Sequence, residues 1–326
     1  MHSTRLFPKN RGATAYKITG IASRCDWVIL SDNKPPRIHL FTRIKTKKPK
    51  HIFISLRNPF EVLIFFAKKV LPGLNTPFVL ISGSEDVTIP NQIDQRWRSF
   101  NSKEVKCIKS ILTNPLLTHW FTENLDDASH PKMSPLPGGM MLPGDKSFNE
   151  VLVPSIPNLG DRPLRILCAH RIRKGPQWSV RTKVSQLVQE HWSQWSTILN
   201  EEIPEANFLD LVKKHSFVLC AEGGGLDPCP KAWHSILYGA IPIVRLNALH
   251  SAYSQLPIAF VPDWKAEHIN LKSLQNWHNN FSPLHDNNLT RQIIIKRLSI
   301  DYWWGQILVA ARRRASSFYI SENEIL

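Results

Sequence analysis

The chain has 326 residues, room for two domains with a core each, and its 42% hydrophobic and 21% charged content excludes wholesale disorder. Lys and Arg number 41 against 26 Asp and Glu, a formal net charge of +15. That balance favours acidic partners: nucleotide diphosphates, nucleic acid, anionic glycans or an anionic membrane surface.

The longest apolar stretch, 62–67, is too short to span a bilayer, and the first residues hold no apolar signal region. Five cysteines, Cys25, Cys107, Cys168, Cys220 and Cys229, have no paired spacing and suit a reducing compartment. A cytoplasmic protein is expected, with any membrane contact peripheral. No nucleic-acid module is evident, and the basic runs are short, so nucleic acid is not expected as a partner.

In chain order, 27–30 and 51–55 read as short strands joined by a Pro- and Lys-rich connection at 34–50. Residues 59–71 carry apolar side chains at helical spacing and end near Pro72 and Gly73. A near-continuous apolar strand, 78–81, suits a parallel sheet covered on both faces, and Gly83-Ser84-Glu85-Asp86 follows it. Another strand, 116–121, leads into Glu123 and Asn124, and 133–142 holds a Pro/Gly-rich turn. The stretch 148–163, with Pro154, Pro157 and Gly160, reads as an interdomain linker.

A second α/β unit starts at 165–169, with helix candidates at 180–195 and 208–214. From Leu271 the chain reads as mostly helical. Strands alternating with helices imply parallel sheets with crossover connections. The division expected is a first domain over 1–155 and a second over 156–326 with a helical tail.

The densest functional signal lies at 216–244. A buried-type strand at 217–220 runs into Gly223, Gly224 and Gly225, then Asp227 and Pro228 open a helix that Gly239 closes before a strand at 241–244. Glycines let the backbone approach a ligand without a Cβ in the way. A loop that ends at a helix N-terminus offers unpaired N–H groups and the positive end of the helix dipole to an anion. Asp227 suits the N-cap and Pro228 the first helical position. Lys231 is a cation in a first turn that ordinarily prefers carboxylates, which makes sense if a diphosphate lies across the loop.

Gly-Gly-Gly-x-Asp-Pro-x-Pro-Lys-Ala-Trp, followed by Gly-x-Ile-Pro-Ile-Val, resembles the donor-site segment of exostosin-like glycosyltransferases and their bacterial and viral relatives. Residues 77–86, 120–124, 130–132 with 136–139, and the late Asp301-Tyr302-Trp303-Trp304 resemble other segments of the same group. The likeness runs roughly over residues 15–310 and is most specific at 217–244. It implies a GT-B-like α/β fold: two Rossmann-like domains with parallel sheets facing across a cleft. It also implies transfer of a sugar from a nucleotide-diphosphate donor to a glycan or other hydroxyl acceptor, with no bound metal or further cofactor. The implied donor-site set is Glu222, Gly223, Gly224, Gly225, Asp227, Lys231 and His234. Two residues depart from the group's usual pattern. Lys231 stands where an Arg is common, and His234 where a Glu often holds the donor ribose.

Arg171, Arg173 and Lys174 follow the strand at 165–169 and are second candidates for the phosphates, because ligands bind outside the carboxyl ends of strands in open α/β sheets. An inverting transfer also needs a base for the acceptor proton. Asp86 is the first choice, Glu85 lies beside it, and Glu123 and His119 are alternatives; each could equally serve a turn or a strand end. Trp233, Ile236 and Leu237 fit the buried side of the donor helix. Two other readings stand behind the transferase: a degenerate protein that binds nucleotide or glycan without turnover, and a basic nucleic-acid-binding protein.

Overall fold

Apolar runs of four to six residues, bounded by Gly, Pro and Asn, become the central strands of two separate parallel sheets. The computed structural model describes residues 1–6, 16–33, 36–42, 46–140, 155–170, 175, 178–228 and 230–322. The chain divides into two compact units, one of Met1–Phe148 with Ile300–Leu326, the other of Asn149–Ser299.

The first unit holds a six-stranded sheet in the order β2-β1-β3-β4-β5-β6. Its strands are β1 (Trp27–Asn33), β2 (Pro36–Thr42), β3 (His51–Ser55), β4 (Phe78–Gly83), β5 (Leu117–Thr122) and β6 (Met133–Pro135). All pair in parallel except β2, which lies antiparallel on the edge beside β1. Strand β2 occupies what the sequence presents as a Pro- and Lys-rich connection; an edge strand tolerates proline because one side of it has no ladder to complete.

Helix α1 (Pro59–Phe65) continues through a π turn and a 3-10 turn to Gly73, as the apolar spacing predicts. Helix α2 (Ser102–Thr113) was not read from the sequence. It opens with a capping box in which Asn101 accepts from the Lys103 and Glu104 amides and Glu104 returns to the Asn101 amide. The central strands β3 and β4 are buried along nearly their whole length, in keeping with a sheet covered on both faces.

The second unit has five parallel strands in the order β11-β10-β9-β7-β8. They are β7 (Ile166–Cys168), β8 (Ser196–Ile198), β9 (Phe217–Leu219), β10 (Ile241–Arg245) and β11 (Ala259–Val261). Helices α3 (Ser179–Leu187), α4 (Glu205–Lys214) and α5 (Pro230–Leu237) form the first three crossovers. Helix α6 (His250–Tyr253) lies between β10 and β11, and α7 (Leu271–Asp286) and α8 (Asn288–Arg297) complete the unit. The core gathers Ile166, Phe217, Leu219, Ile241 and Ile243 with Val188, Trp192 and Trp264. From β7 the chain moves outward to β8, then crosses back to β9 on the other side. The topological switch point of this sheet therefore lies between β7 and β9.

Two boundaries differ from the sequence reading. Of the stretch read as a linker, the described part from Ser155 belongs to the second unit. The Leu159 and Gly160 amides donate to Asp286, and buried Arg162 donates to the carbonyls of Pro157, Val212, His215 and Tyr238. The final helix α9 (Ile300–Glu322) belongs to the first unit, not the second. Its aromatic start explains this: Trp303 packs on His2, Trp304 on His51, and Asp301 pairs with Arg24.

Candidate functional site

The glycine loop leaves β9 at the switch point and is tied down from the β10 side. Glu222 is buried, pairs with Arg245 at the end of β10 and accepts from the Trp264 indole at 3.1 Å. The Asn247 amide donates to the Leu226 carbonyl at 2.8 Å, and the Tyr253 hydroxyl donates to Asp227 at 2.5 Å. Gly225 has φ +64°, a left-handed backbone that favours glycine. The loop is thus held in one shape by side chains that follow β10 and β11. Glu222 and Asp227 act here as anchors.

The opposite side of the loop faces a cation. A Cβ on Gly223 would lie 2.6 Å from an Arg181 guanidinium nitrogen and 3.0 Å from the Trp178 ring. Arg181 stands in the first turn of α3, the helix that follows β7, and its guanidinium carbon lies 5.0 Å from the centre of the Trp178 ring. Its Nε has no hydrogen-bond partner, and it makes no ion pair, among the described residues. Lys231, in the first turn of α5, donates to the Ala169 carbonyl just past β7 at 3.3 Å. Two helix N-termini, each with a cation in its first turn, therefore border the switch point.

Buried His170 registers both charges. It lies two residues past β7 and contacts the Ser185 hydroxyl at 2.8 Å and the Arg181 carbonyl at 3.2 Å. Burial, then Lys231 and Arg181, push its pKa down to about 3, so the imidazole is neutral in ordinary buffers. Cys168 beside it is a buried thiol raised to about 11 by burial, against a smaller opposing pull from Lys231, and is a core residue.

Helix α5 starts at Pro230, two residues later than the sequence suggests. Its far end is fixed by buried Arg291, which donates to the carbonyls of Ile236 and Leu237, and by Arg162 on Tyr238. Gly239 has φ +78° and packs where a Cβ would strike Ile156 and Arg162. Cations at the carbonyl end complement the helix dipole and satisfy orphan acceptors. Trp233, Ile236 and Leu237 are buried, as expected of the core side. His234 lies 3.9 Å from Glu205 of α4, with its pKa lowered by burial against that carboxylate's pull. Arg171, Arg173 and Lys174, and with them Cys229, lie outside the described residues.

In the first unit, Glu85, Asp86 and Glu123 do come together beyond the carboxyl ends of β4 and β5. They are gathered by Arg5 and Arg96. Arg5 pairs with Asp86 at 2.5 Å and with Glu123 at 2.6 Å; Arg96 pairs with Asp86 and lies 3.7 Å from Glu85. Burial alone would raise the Asp86 pKa, but Arg5 and Arg96 outweigh it and hold the carboxyl below its usual range. Such a carboxylate is a weakened base. Glu123 is fully buried and accepts from the Thr4 hydroxyl and the Ser84 amide, both at 2.7 Å, so its geometry is that of a structural anchor. His119 sits inside β5, bonded to Ser134 at 2.9 Å, short of the strand's carboxyl end.

Sequence reasoning missed Arg181, Trp178, Arg245 and Tyr253. For Arg181 a signal existed: it falls where the helix after the β7 loop begins. Arg245 and Tyr253 have none, because their partners on the glycine loop are 23 and 26 positions away.

No protein-family model matches this chain, and no curated protein sequence matches it. Among solved structures, the trehalose-6-phosphate protein of E. coli bound with UDP-2-fluoro glucose is 9% identical over 80% of this chain and 72% of that one, with TM-score 0.45. TarM is 9% identical over 87% of this chain and 63% of that one, with TM-score 0.44. The alpha,alpha-trehalose 6-phosphate synthase of Burkholderia multivorans is 8% identical over 85% and 73%, with TM-score 0.39.

Proposed function

We propose that this protein is a glycosyltransferase of the GT-B type, related to the exostosin-like group, that moves a sugar from a nucleotide-diphosphate donor to a hydroxyl acceptor. The observation that carries this reading is the switch point of the second unit. A glycine loop anchored from one side meets Arg181 on the other, and Lys231 reaches the Ala169 carbonyl at the end of the neighbouring strand, each cation in the first turn of a helix. A diphosphate is the ligand such a site suits, because it offers charge to both cations and acceptor oxygens to the loop amides.

In the reaction an acceptor hydroxyl attacks the anomeric carbon and the bond from that carbon to the diphosphate oxygen breaks. The electron pair leaves with the nucleotide diphosphate. Lys231, Arg181 and the loop N–H groups stabilise the charge that builds there, which preorganised donors do most effectively. The acceptor's proton goes to a carboxylate if configuration inverts. Glu85, with one guanidinium at 3.7 Å, is the better placed base; Asp86 is held by two.

Calorimetry with a panel of nucleoside diphosphates tests the reading. At least one should bind, and Lys231→Ala should weaken it by about 1–3 kcal/mol, the scale of a charge-assisted hydrogen bond. Absence of binding by every member of the panel would overturn the proposal. Binding with neither transfer nor hydrolysis of the matching sugar donors would leave a nucleotide-binding protein without turnover.

A further inference from the structure

We propose that the amino-terminal edge of the first unit's sheet is a docking face for an anionic lipid bilayer. The charge of the chain is unevenly divided. In Met1–Phe148 with Ile300–Leu326, Lys and Arg outnumber Asp and Glu by 25 to 14; in Asn149–Ser299 the ratio is 16 to 12. Most of the excess is in the first unit, which does not carry the glycine loop.

Within that unit the strand direction separates the acids from a group of exposed lysines, while Arg5, Arg57, Arg96 and Arg98 lie with the acids at the carboxyl edge. Glu85, Asp86, Glu123, Asp126 and Asp127 follow the carboxyl ends of β4 and β5, and Glu61 and Glu104 open α1 and α2 at the same end. The opposite edge carries lysines. Lys47, Lys48 and Lys50 lie between β2 and β3, Lys68 and Lys69 in the turn after α1, and Lys109 near the end of α2. All six are exposed, and none is in an ion pair among the described residues. Two acids there are already engaged: Asp26 accepts from the Lys50 and His51 amides, and Asp301 pairs with Arg24 at 2.6 Å.

Lysines at helix carboxyl ends complement the helix dipole, which accounts for Lys68, Lys69 and Lys109. It does not account for Lys47, Lys48 and Lys50, which follow an edge strand. That strand also brings apolar surface to the same edge. Because β2 runs antiparallel, its last residues lie beside the start of β1, with Thr42 opposite Trp27 and Phe41 opposite Val28. Leu40 and Phe41 are 36% and 42% exposed. Exposed apolar side chains among lysines fit a bilayer interface, where the ammonium groups meet lipid phosphates and the apolar groups enter the headgroup boundary. A nucleic-acid backbone would use the lysines and leave Leu40 and Phe41 without a role.

The test is co-sedimentation of the full chain with phosphatidylcholine vesicles made with and without phosphatidylglycerol. Retention is expected only with phosphatidylglycerol, and should fall as salt rises. Each lysine near an anionic surface is worth about a fivefold factor, so Lys47→Gln, Lys48→Gln and Lys50→Gln together should lower partitioning about a hundredfold. Phe41→Ser should reduce the retention that survives added salt. Nucleoside diphosphate affinity should not move in either variant, which serves as the control for folding. Three outcomes would overturn the proposal: no retention by either vesicle, retention untouched by the lysine changes, or lysine changes that abolish duplex DNA binding while vesicles are not bound.

Discussion

The two units share a parallel sheet and differ in what lies on its carboxyl edge. In the second unit that edge presents an anchored glycine loop to Arg181, with Lys231 on the Ala169 carbonyl just past β7. In the first, the chain's own beginning covers the edge. The Thr4 amide and hydroxyl bond to Gly138 and Glu123, Arg5 reaches Asp86 and Glu123, and the Leu6 amide donates to Ser84. One edge sets the Arg181 guanidinium against a backbone loop; the other has neutralised its carboxylates internally. Strand–glycine–acid signals of similar appearance therefore do different work. The difference is set by which guanidinium the fold delivers to them.

The sharpest way to break this contrast is Arg5→Ala. The change leaves Glu123 buried without its cation and removes one of two from Asp86. Loss of one partner of a buried pair costs about 3–5 kcal/mol. Urea unfolding should show that loss, while nucleoside diphosphate affinity per folded molecule stays the same. The wild type should also lose stability in acid through Asp86. Its folded pKa is depressed, so the unfolded chain binds protons more readily; this contribution is present above the ordinary carboxylate pKa of about 4 and fades as pH falls through the folded value. Arg5→Ala should flatten that acid limb. An unchanged unfolding midpoint would mean that the first unit's edge is not self-neutralised.

A second contrast separates neighbouring carboxylates. Glu85→Gln should lower turnover by about a hundred- to ten-thousand-fold, the range for loss of a general base. Asp86→Asn should leave turnover near wild type and lower stability by about 1–3 kcal/mol, as a charge-assisted contact is lost. Turnover and melting temperature measured on one preparation decide it. A collapse of turnover in Asp86→Asn with an unchanged melting temperature would return the base to Asp86.

Much of the second unit was legible in sequence because its signals are local: four apolar residues, three glycines, a proline at the helix start, a glycine at its end. Strand β8, Ser196–Ile198, holds a single apolar residue and offers no pattern to read, whereas β11, Ala259–Val261, sits in an apolar run and could have been read. Side chains that act at long range offer no pattern either. Nothing near Glu123 announces Arg5, 118 positions earlier, and nothing in the tail announces that Trp303 packs on His2. Helix α2 carries its capping box openly in Asn101 and Glu104, and its apolar stripe of Cys107, Ile108 and Ile111 has helical spacing. That helix could have been read.

The smallest expected effect tests the contact on which the second unit's edge depends. A Cβ on Gly223 would meet the tip of Arg181, the far end of a flexible side chain, and the Trp178 ring at 3.0 Å. The fold can yield there by moving Arg181, so Gly223→Ala should change the melting temperature little. It should instead displace the guanidinium from the loop and weaken nucleoside diphosphate binding by about the amount that Arg181→Ala does, on the order of 1 kcal/mol. The two changes then act through one group, and the double variant should be no weaker than the worse single one. Contacting residues that share a role depart from additivity by about 0.5–3 kcal/mol, which calorimetry on the four proteins resolves. Strict additivity would mean that the loop and Arg181 meet the ligand independently. Unchanged affinity in both single variants would remove this side of the loop from the site and leave Lys231 as the cation that serves it.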